Sequence, residues 1–472
     1  MGPSACSKKI GFFRAGSRLI VAGQIDVKMV RIGLMARPMF PLDRREWMAG
    51  LGAVALTPFS TAAGRAQGRP SLALRASVGN FAPRSGGPPT AIWSLTGPAN
   101  ELRFKRGDSL EIAIENELPT ALALNWRGID GAAEAEPLTA RLPAAMGSRD
   151  TYRLPLRHAG TILCDLSLAA NGDDRPTHAL PFRVTESEEV VVDRDELFLI
   201  EDWRLRPDGT AMAPGADPKD AKPSYTVNGL ASLDVTARHN DRLRIRFINS
   251  CQRSIIAIKI ENLDVRVMAI DSQPAEPFQA RNGAVVLAPG SRVDVFVDVT
   301  ATVGTTSSIL VHDGKEALII GKLIVSKEPP IRTALLPPAP PLPSNGLPAQ
   351  LDLKGATRAD LTLAGTAGDW VTTANFAATA KPAFRAKAGR TVVLALANRA
   401  AIATVFHLHG HHFRLLDRLD DGWKPFWLDT LAIEPGQTQR IAFAAEYRGH
   451  WLMESVTTDW AASRLVRWYG VE

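Results

Sequence analysis

One short unit occurs three times along this chain, and each copy is a turn followed by a strand pattern that ends in asparagine. The copies lie at residues 106–116, 240–249 and 388–398. In the first copy apolar and polar side chains alternate, which is the period of a strand with one buried face. The copies are about 130–150 residues apart, roughly one domain length, which indicates an internal repeat of similar β domains.

A second repeat and two boundaries divide the chain further. Residues 288–297 and 434–443 both place a Pro-Gly turn before a strand pattern. Eight prolines within residues 327–350 predict an extended and fairly stiff linker, and acidic residues at 186–189 interrupt the strands. We therefore expect an all-β chain of three β-sandwich domains. The predicted bounds are 67–187, 188–327 and 351–472 for the domains and 328–350 for the proline-rich linker.

Residues 1–66 differ from the rest of the chain in charge. They hold ten lysines and arginines against three acids, whereas the remainder has a net charge of −1. The arginine pair at 44–45 precedes a short apolar stretch and a small-residue end at Ala66, an order typical of a twin-arginine export signal. We expect a cleaved presequence, a true translation start at Met35 or Met39, and a periplasmic mature protein.

The charge and hydropathy of the remaining chain exclude two kinds of partner. A near-neutral body lacks the basic surface that nucleic-acid binding needs. No apolar run reaches the roughly 20 residues of a membrane span, so we expect no integral membrane segment. Of the cysteines that follow the presequence, Cys164 and Cys251 are far apart in sequence. We expect two separate buried thiols there.

Four of the nine histidines of the chain lie within residues 406–416. On a strand, residues two apart face the same side, so His407 and His409 converge. Paired imidazoles on one strand face suit copper or zinc. We expect His411 and His412, which follow a glycine turn, to lie at the solvent edge.

This segment, with its sequence Phe-His-Leu-His-Gly-His-His, resembles the third copper-ligand motif of the multicopper oxidases, the family of the laccases. Residues 104–108 and 115–119 resemble the opening of that family's first domain. Residues 225–229 and 287–295 resemble its second domain. The resemblance extends over the chain that follows the presequence. It implies three consecutive cupredoxin-like (plastocyanin-like) Greek-key domains.

The resemblance also implies a set of histidines and one cysteine as copper ligands, and most of them are replaced here. Asn-Trp-Arg-Gly at 125–128 stands where the family has His-Trp-His-Gly, and Glu-Ser-Val at 454–456 stands where it has His-Cys-His. The substituted positions of the former copper sites include Asn125, Arg127, Asp165, Ser167, Thr404, Ser455, Val456 and Trp460. His407 and His409 remain.

The missing cysteine decides the chemistry that follows from the resemblance. A blue-copper site needs a thiolate to accept electrons from the substrate, and Ser455 cannot supply one. Cys164 lies in a different motif, so we do not expect ordinary laccase activity. His407, His409 and Glu454 could still form a small copper or zinc site. Alternatively, the two histidines are retained scaffold, hydrogen-bonded in the former pocket.

Arg127 and Asp165 stand at positions that, by the resemblance, share one copper ion with the position of Val456. A guanidinium is a fixed positive charge that suits carboxylates. A buried carboxylate needs such a partner. We therefore predict an ion pair between Arg127 and Asp165 where the family holds a metal cation.

Three functional hypotheses follow. The family includes an exported cell-division protein, also carried by the twin-arginine route, that kept three cupredoxin domains and lost the copper. This chain resembles it, which favours a non-catalytic periplasmic binding or scaffold protein with a protein partner. The second hypothesis is a copper-binding oxidoreductase with a residual metal site at His407 and His409. The third is a binder of a small molecule in the former copper cavity, which now carries Arg127, Asp165 and Glu454.

Overall fold

The computed structural model describes residues 70–98, 102–169, 175–363, 369–416 and 424–472. The predicted export signal lies outside these residues. The described residues form 31 strands and three short 3-10 helices, so the predicted all-β class is confirmed. The helices are Ala133–Ala135, Arg281–Gly283 and Thr373–Asn375. Within this part of the chain, no helix has the length and apolar character that a membrane crossing needs.

Nine strands precede residue 186. Their bounds are β1 Ser71–Phe81, β2 Thr90–Thr96, β3 Arg103–Lys105, β4 Ser109–Asn116, β5 Asn125–Arg127, β6 Arg149–Pro155, β7 Gly160–Asp165, β8 Thr177–His178 and β9 Leu180–Thr185. They form one sheet in the order β6-β4-β1-β2-β8 and a second in the order β3-β9-β7-β5. Ile112 and Leu154 of the first sheet share a buried core with Ile162 and Phe182 of the second, as in a β-sandwich.

Twelve strands form the second domain. Their bounds are β10 Arg194–Leu205, β11 Ala211–Met212, β12 Lys222–Val227, β13 Leu233–Ala237, β14 Arg242–Asn249, β15 Ile256–Ile260, β16 Arg266–Ile270, β17 Gln273–Gln279, β18 Ala284–Leu287, β19 Arg292–Asp298, β20 Thr306–His312 and β21 Ala317–Val325. One sheet has the order β11-β10-β14-β19-β16-β17, with β12 also paired to β10, and the other has the order β13-β21-β20-β15-β18. Ile245 and Val295 pack in one core with Ile258 and Leu323.

Ten strands form the third domain. Their bounds are β22 Thr357–Leu363, β23 Val371–Thr372, β24 Arg385–Ala386, β25 Thr391–Asn398, β26 Thr404–Leu408, β27 Arg414–Leu415, β28 Thr430–Ile433, β29 Thr438–Ala444, β30 Gly449–Thr457 and β31 Leu465–Val471. One sheet has the order β22-β25-β29-β27. The other has the order β23-β31-β30-β26-β28, with β24 paired to β31. Leu394 and Ile441 of the first sheet and Phe406 and Leu452 of the second are buried.

The repeated asparagine has one structural role in all three domains. β4, β14 and β25 end at Asn116, Asn249 and Asn398, which are fully buried. In each case Nδ2 donates to two backbone carbonyl oxygens, and Oδ1 accepts from the backbone N–H two residues further along. Buried backbone groups that leave a sheet need such partners. The sequence repeat therefore ends in asparagine because the chain leaves the sheet through the same hydrogen-bonded loop in all three domains.

The linker between the second and third domains packs against the body of the protein. Asn345 is buried, its Oδ1 accepts from the Ala159 N–H, and its Nδ2 donates to the Ala159 carbonyl, both at 2.9 Å. Arg106 donates to the carbonyls of Ser344 and Asn345. Leu342 packs in a buried apolar cluster of the second domain. These contacts tie the linker to both preceding domains.

The two cysteines of the described residues, Cys164 and Cys251, are separate, free and buried, as predicted. Cys164 lies on β7 in the first-domain core, and Cys251 lies just after β14 in the second-domain core. Burial raises the pKa of both thiols well above the ordinary value. They are therefore packing residues with little thiolate character.

Candidate metal centre and buried charge networks

Several residues at the positions that the family resemblance assigns to copper ligands meet between the first and third domains. β5 carries Asn125 and Arg127, and its register with β7 places Asn125 opposite Asp165. β26 pairs with β30 so that His407 lies opposite Glu454. Asn125 Nδ2 donates to Glu454 Oε1 at 2.8 Å. Two strand pairs that are more than 230 residues apart in sequence thus form one buried polar site.

The structure brings together the three residues predicted as a metal site. Candidate ligand atoms of His407, His409 and Glu454 all lie within 4.8 Å of one another, and all three side chains are buried. The ring centroids of His407 and His409 are 4.8 Å apart. His409 Nε2 lies 3.0 Å from Glu454 Oε1. The distances between these atoms suit a metal ion. Whether the group can bind one depends on which ligand atoms are already hydrogen-bonded.

Arg127 joins this group to further charges. Its Nε donates to Asp165 Oδ2 at 3.0 Å, the contact predicted from the sequence, and its Nη2 donates to Glu454 Oε1 at 3.2 Å. Arg464 donates to Glu454 Oε2 at 2.6 Å. We call the connected buried side chains the Arg127 network. Its members are Arg127, Arg464, His409, Glu136, Asp165 and Glu454.

The Arg127 network is balanced in charge, because its one histidine is protonated. Burial alone would lower the pKa of His409, but Glu136 and Glu454, each 3.0 Å from one ring nitrogen, raise it to about 9. Burial raises the pKa of Glu454, yet Arg127 and Arg464 outweigh it and hold this pKa well below the usual range. Three cations therefore face three carboxylates. Both nitrogens of His409 carry protons, so neither offers a lone pair.

His407 differs from His409 in being neutral. Burial, followed by the nearby Arg127 charge, holds its pKa well below the ordinary value. Its Nδ1 donates to the backbone carbonyl of Asp429 at 2.9 Å, which leaves a lone pair on Nε2. Within the described residues, Nε2 has no hydrogen-bond partner, and neither do Asn125 Oδ1 and Ser455 Oγ. These atoms are the unsatisfied part of the former copper region.

The other positions that the resemblance assigns to copper ligands make contacts within the protein. Thr404 Oγ1 donates to Asn398 Oδ1 at 3.0 Å. Val456 packs in a small apolar cluster, and Ser167 Oγ accepts from an amide of β5 at 3.0 Å. Trp460 Nε1 donates to a backbone carbonyl of the second domain at 2.8 Å. These side chains now pack the interior and join domains.

The predicted position of the last two histidines of the motif is wrong. His411 and His412 are not at the solvent edge, since each is only 2% exposed. His411 Nδ1 donates to Tyr469 Oη at 2.8 Å. His412 Nδ1 donates to Asp130 at 2.9 Å, and its Nε2 donates to the carbonyl of Asp271 at 2.7 Å. The glycine turn directs them into the junction of the domains, where residues from elsewhere cover them.

A second charge network, which the sequence did not predict, lies at this junction. Arg292 Nη2 donates to Asp429 Oδ2 at 2.7 Å, and the Arg292 N–H donates to Asp271 Oδ1 at 3.0 Å. We call these groups, together with the His412–Asp130 pair, the Arg292 network. Its members are Arg292, His412, Asp130, Asp271 and Asp429. They come from all three domains; the one sequence signal was that Arg292 lies in a repeated turn–strand unit.

Three sandwiches of this topology define a protein of the cupredoxin class, and comparison with known proteins gives its family. Two family models, both described as multicopper oxidase, match residues 192–307 and 348–472. This chain belongs to the multicopper oxidase family, as its motifs predicted.

Relatives and solved structures agree with this assignment. The chain is 26% identical over 432 residues to the multicopper oxidase MmcO of Mycobacterium tuberculosis, covering 78% of this chain and 81% of that protein. It is 25% identical over 250 residues to Laccase-7 of Arabidopsis thaliana, covering 46% and 41%. A multi-copper oxidase structure from Pseudomonas thermotolerans has a TM-score of 0.71 at 22% identity, covering 85% of this chain and 99% of that one. Lac15 from a marine microbial metagenome has a TM-score of 0.69 at 22% identity, covering 85% and 100%. The predicted cupredoxin-like fold is thereby confirmed.

The family implies copper, and the structure contains candidate ligand groups. The donor set at the former copper positions nevertheless does not fit a multicopper centre. His409 is protonated at both nitrogens, and the oxygens of Glu454 accept from two arginines. The carboxylates of this network are already paired with Arg127, Arg464 and His409, so a metal cation there would find no uncompensated carboxylate. His407 Nε2 is the one imidazole nitrogen of the pair with a free lone pair.

Proposed function

We propose that this protein is a copper-free member of its family and acts as a periplasmic binding or scaffold protein rather than as an oxidase. The observation that carries the proposal is the charge-balanced Arg127 network at the former copper positions. Arg127 donates to Asp165 of its own domain and to Glu454 of the third domain. A guanidinium and two buried carboxylates thus stand where the family places metal ions.

The lost electron-transfer chemistry supports the same proposal. A laccase-type reaction needs a copper–thiolate centre that takes one electron at a time from the substrate. Ser455 offers a hydroxyl at the cysteine position, and this hydroxyl is buried in β30. Thr404 and Trp460 hold hydrogen bonds to the protein itself. None of these three side chains is a ligand that copper prefers.

The charged contacts between the domains support a scaffold role. A buried ion network costs desolvation, and losing one member leaves uncompensated charge. Such a network specifies one arrangement of the domains, since Arg127 and Glu454 must meet across the interface. A fixed arrangement of three sandwiches offers a stable outer surface to a protein partner.

Metal content and oxidase activity of the mature protein test the copper-free state. The protein is purified from its own host without a histidine tag and analysed for copper by elemental analysis. We expect no copper that depends on His407 and His409, no visible copper–thiolate absorption, and no oxidation of laccase substrates. Stoichiometric copper that a His407→Ala/His409→Ala variant loses would overturn the proposal. It would favour the second candidate, a residual copper site that uses the unpartnered His407 Nε2.

Export and partner binding are tested in the same host. We expect the mature protein in the periplasm, and an Arg44→Lys/Arg45→Lys variant to remain unprocessed in the cytoplasm. The partner experiment cross-links periplasmic proteins to the exported chain and uses an unrelated exported cupredoxin as control. A stoichiometric partner seen with this chain alone would support the scaffold role. Export of the double variant would contradict the twin-arginine route. An exported chain without a specific partner would contradict the scaffold role.

A further inference from the structure

The Arg292 network contains a group of side chains that the altered copper motifs do not include. Candidate ligand atoms of Asp130, His158 and His412 all lie within 4.8 Å of one another, and all three side chains are buried. From this group we infer that the three-domain junction holds a site for one divalent transition-metal ion, Zn²⁺ or Cu²⁺, formed by Asp130, His158 and His412. None of these residues stands at a position that the family resemblance assigns to a copper ligand.

The three side chains point their ligand atoms toward one place. His412 Nδ1 lies 2.9 Å from both oxygens of Asp130, and His158 Nδ1 lies 3.5 Å from Asp130 Oδ2. The ring centroids of the two histidines are 6.0 Å apart. Two imidazole nitrogens and one carboxylate are the donor set of many three-ligand zinc sites, which leave one position for water.

Neighbouring residues hold these ligands in place. The Asp130 carboxylate accepts from the His412 N–H at 3.2 Å. His412 Nε2 donates to the carbonyl of Asp271 at 2.7 Å, an outer contact that metal-binding histidines usually make. Gln273 Nε2 donates to His158 Nδ1 at 2.9 Å, and Asn345 donates to Gln273 Oε1 at 3.1 Å. Rotation of the Gln273 amide would free the His158 lone pair for an ion.

The charges of the Arg292 network favour a cation, in contrast to those of the Arg127 network. Among the buried groups described here, Asp130, Asp271 and Asp429 are three carboxylates, whereas Arg292 and protonated His412 are two cations. Arg292 is shared between two of these carboxylates, with Nη1 3.6 Å from Asp271 Oδ1 and Nη2 2.7 Å from Asp429 Oδ2. A divalent ion that replaces the proton on His412 Nδ1 would bring the network to zero charge.

His158 is ready to bind without losing a proton. Burial lowers its pKa to about 4, although Asp130 opposes this shift, so the ring is neutral at physiological pH. A neutral imidazole is the form that binds transition metals. A small cavity lined by Asp130, His412, Glu446 and Tyr447 adjoins the group, and the side chain of Glu446 is exposed. Asp130 and His412 therefore lie close to the protein surface.

Metal binding to the full mature protein tests the inference. The protein is stripped with a chelator, titrated with Zn²⁺ and then, separately, with Cu²⁺, and followed by calorimetry. We expect one ion per chain, and we expect His158→Gln to weaken binding more than about tenfold, since even an outer contact of a metal site is worth that much. His407→Gln is the matched control, because it removes a buried neutral histidine of the former copper region. It should bind the ion as the wild type does.

Each other outcome overturns the inference. Stoichiometric binding that survives in His158→Gln, or the absence of stoichiometric binding, would exclude the site. Binding that is lost in His407→Gln and kept in His158→Gln would place the ion at the former copper position and contradict the proposed copper-free function as well. If His158→Gln fails to fold, anomalous diffraction from zinc-soaked wild-type crystals decides the question. The ion must then lie against Asp130.

Discussion

Arg127 links buried carboxylates of the first and third domains. It is 3% exposed and donates to two carboxylates that belong to different domains. Its ordinary pKa is already high, and the pair of carboxylates keeps it charged despite burial. The residue therefore combines a permanent charge with a fixed donor geometry, which a lysine does not match.

We expect Arg127→Met to destabilise the protein by about 3–5 kcal/mol, because it leaves Asp165 and Glu454 buried without their shared cation. The measurement is the urea dependence of unfolding. The control is Arg149→Met, which removes an exposed ion pair with Glu115 and should have little effect. Equal midpoints for the two variants would contradict the importance of the Arg127 network.

A pH dependence is expected from Asp195 on β10. Burial raises its pKa, but the Arg246 side chain, which donates to both carboxylate oxygens, outweighs burial and leaves this pKa below its ordinary value of 3.8. The ionised form therefore stabilises the folded state above pH 3.8, and this stability is lost as the pH falls through the folded pKa. Asp195→Asn should lower the melting temperature at neutral pH.

The difference between wild type and Asp195→Asn should shrink as the pH falls from 5 toward and below 3.8. Arg246 keeps a second carboxylate partner, Asp294, so the variant is expected to fold. Asp264→Asn, at an exposed aspartate, is the control. A difference that stays constant through this pH range would show that Asp195 acts by packing alone.

At the scale of elements, the strand that ends in asparagine is the unit from which each sandwich is built. β4, β14 and β25 each pair in parallel with another strand of their own domain, and each ends at the same hydrogen-bonded exit. The repeat is visible in the sequence because the same backbone geometry at the end of each strand requires an asparagine side chain. An aspartate or a serine lacks the two amide protons that satisfy the two carbonyls.

We expect Asn249→Ala to cost about 3 kcal/mol, since it leaves two carbonyls and one N–H of the β14 exit buried without partners. Chemical denaturation of the full chain measures this cost. Asn80→Ala, at an exposed position of β1, should change stability by less than about 0.5 kcal/mol. A cost for Asn249→Ala that is no larger than this would show that water replaces the side chain.

At the scale of the whole molecule, the linker and the two charge networks together hold the three domains in one arrangement. The Arg127 network joins the first and third domains, and the Arg292 network joins all three. Asn345 ties the linker to Ala159 of the first domain and to Ser272 of the second. The proline-rich sequence predicted a stiff linker, and the hydrogen bonds of Asn345 show that the linker is also held against the first two domains.

We expect Asn345→Ala to loosen this arrangement, because it leaves the buried Ala159 N–H without a partner, a loss of about 1–3 kcal/mol. Limited proteolysis should cleave residues 328–350 faster in the variant than in the wild type. Gln350→Ala, at an exposed position of the same segment, should be cleaved at the wild-type rate. Unchanged cleavage of Asn345→Ala would show that the prolines alone protect the linker.

Local pattern was enough to predict the β class and the two separate thiols, because each of these depends on a short segment or on one side chain. The burial of His411 and His412, the contact of Glu136 with His409 and the whole Arg292 network depended on the tertiary structure. Their partners lie in other domains, up to 282 residues away along the chain. The charge states of side chains at this junction depend on distances between domains, and strand periodicity does not encode those distances. Only the folded structure therefore determined which histidines and carboxylates are already paired and which can bind an ion.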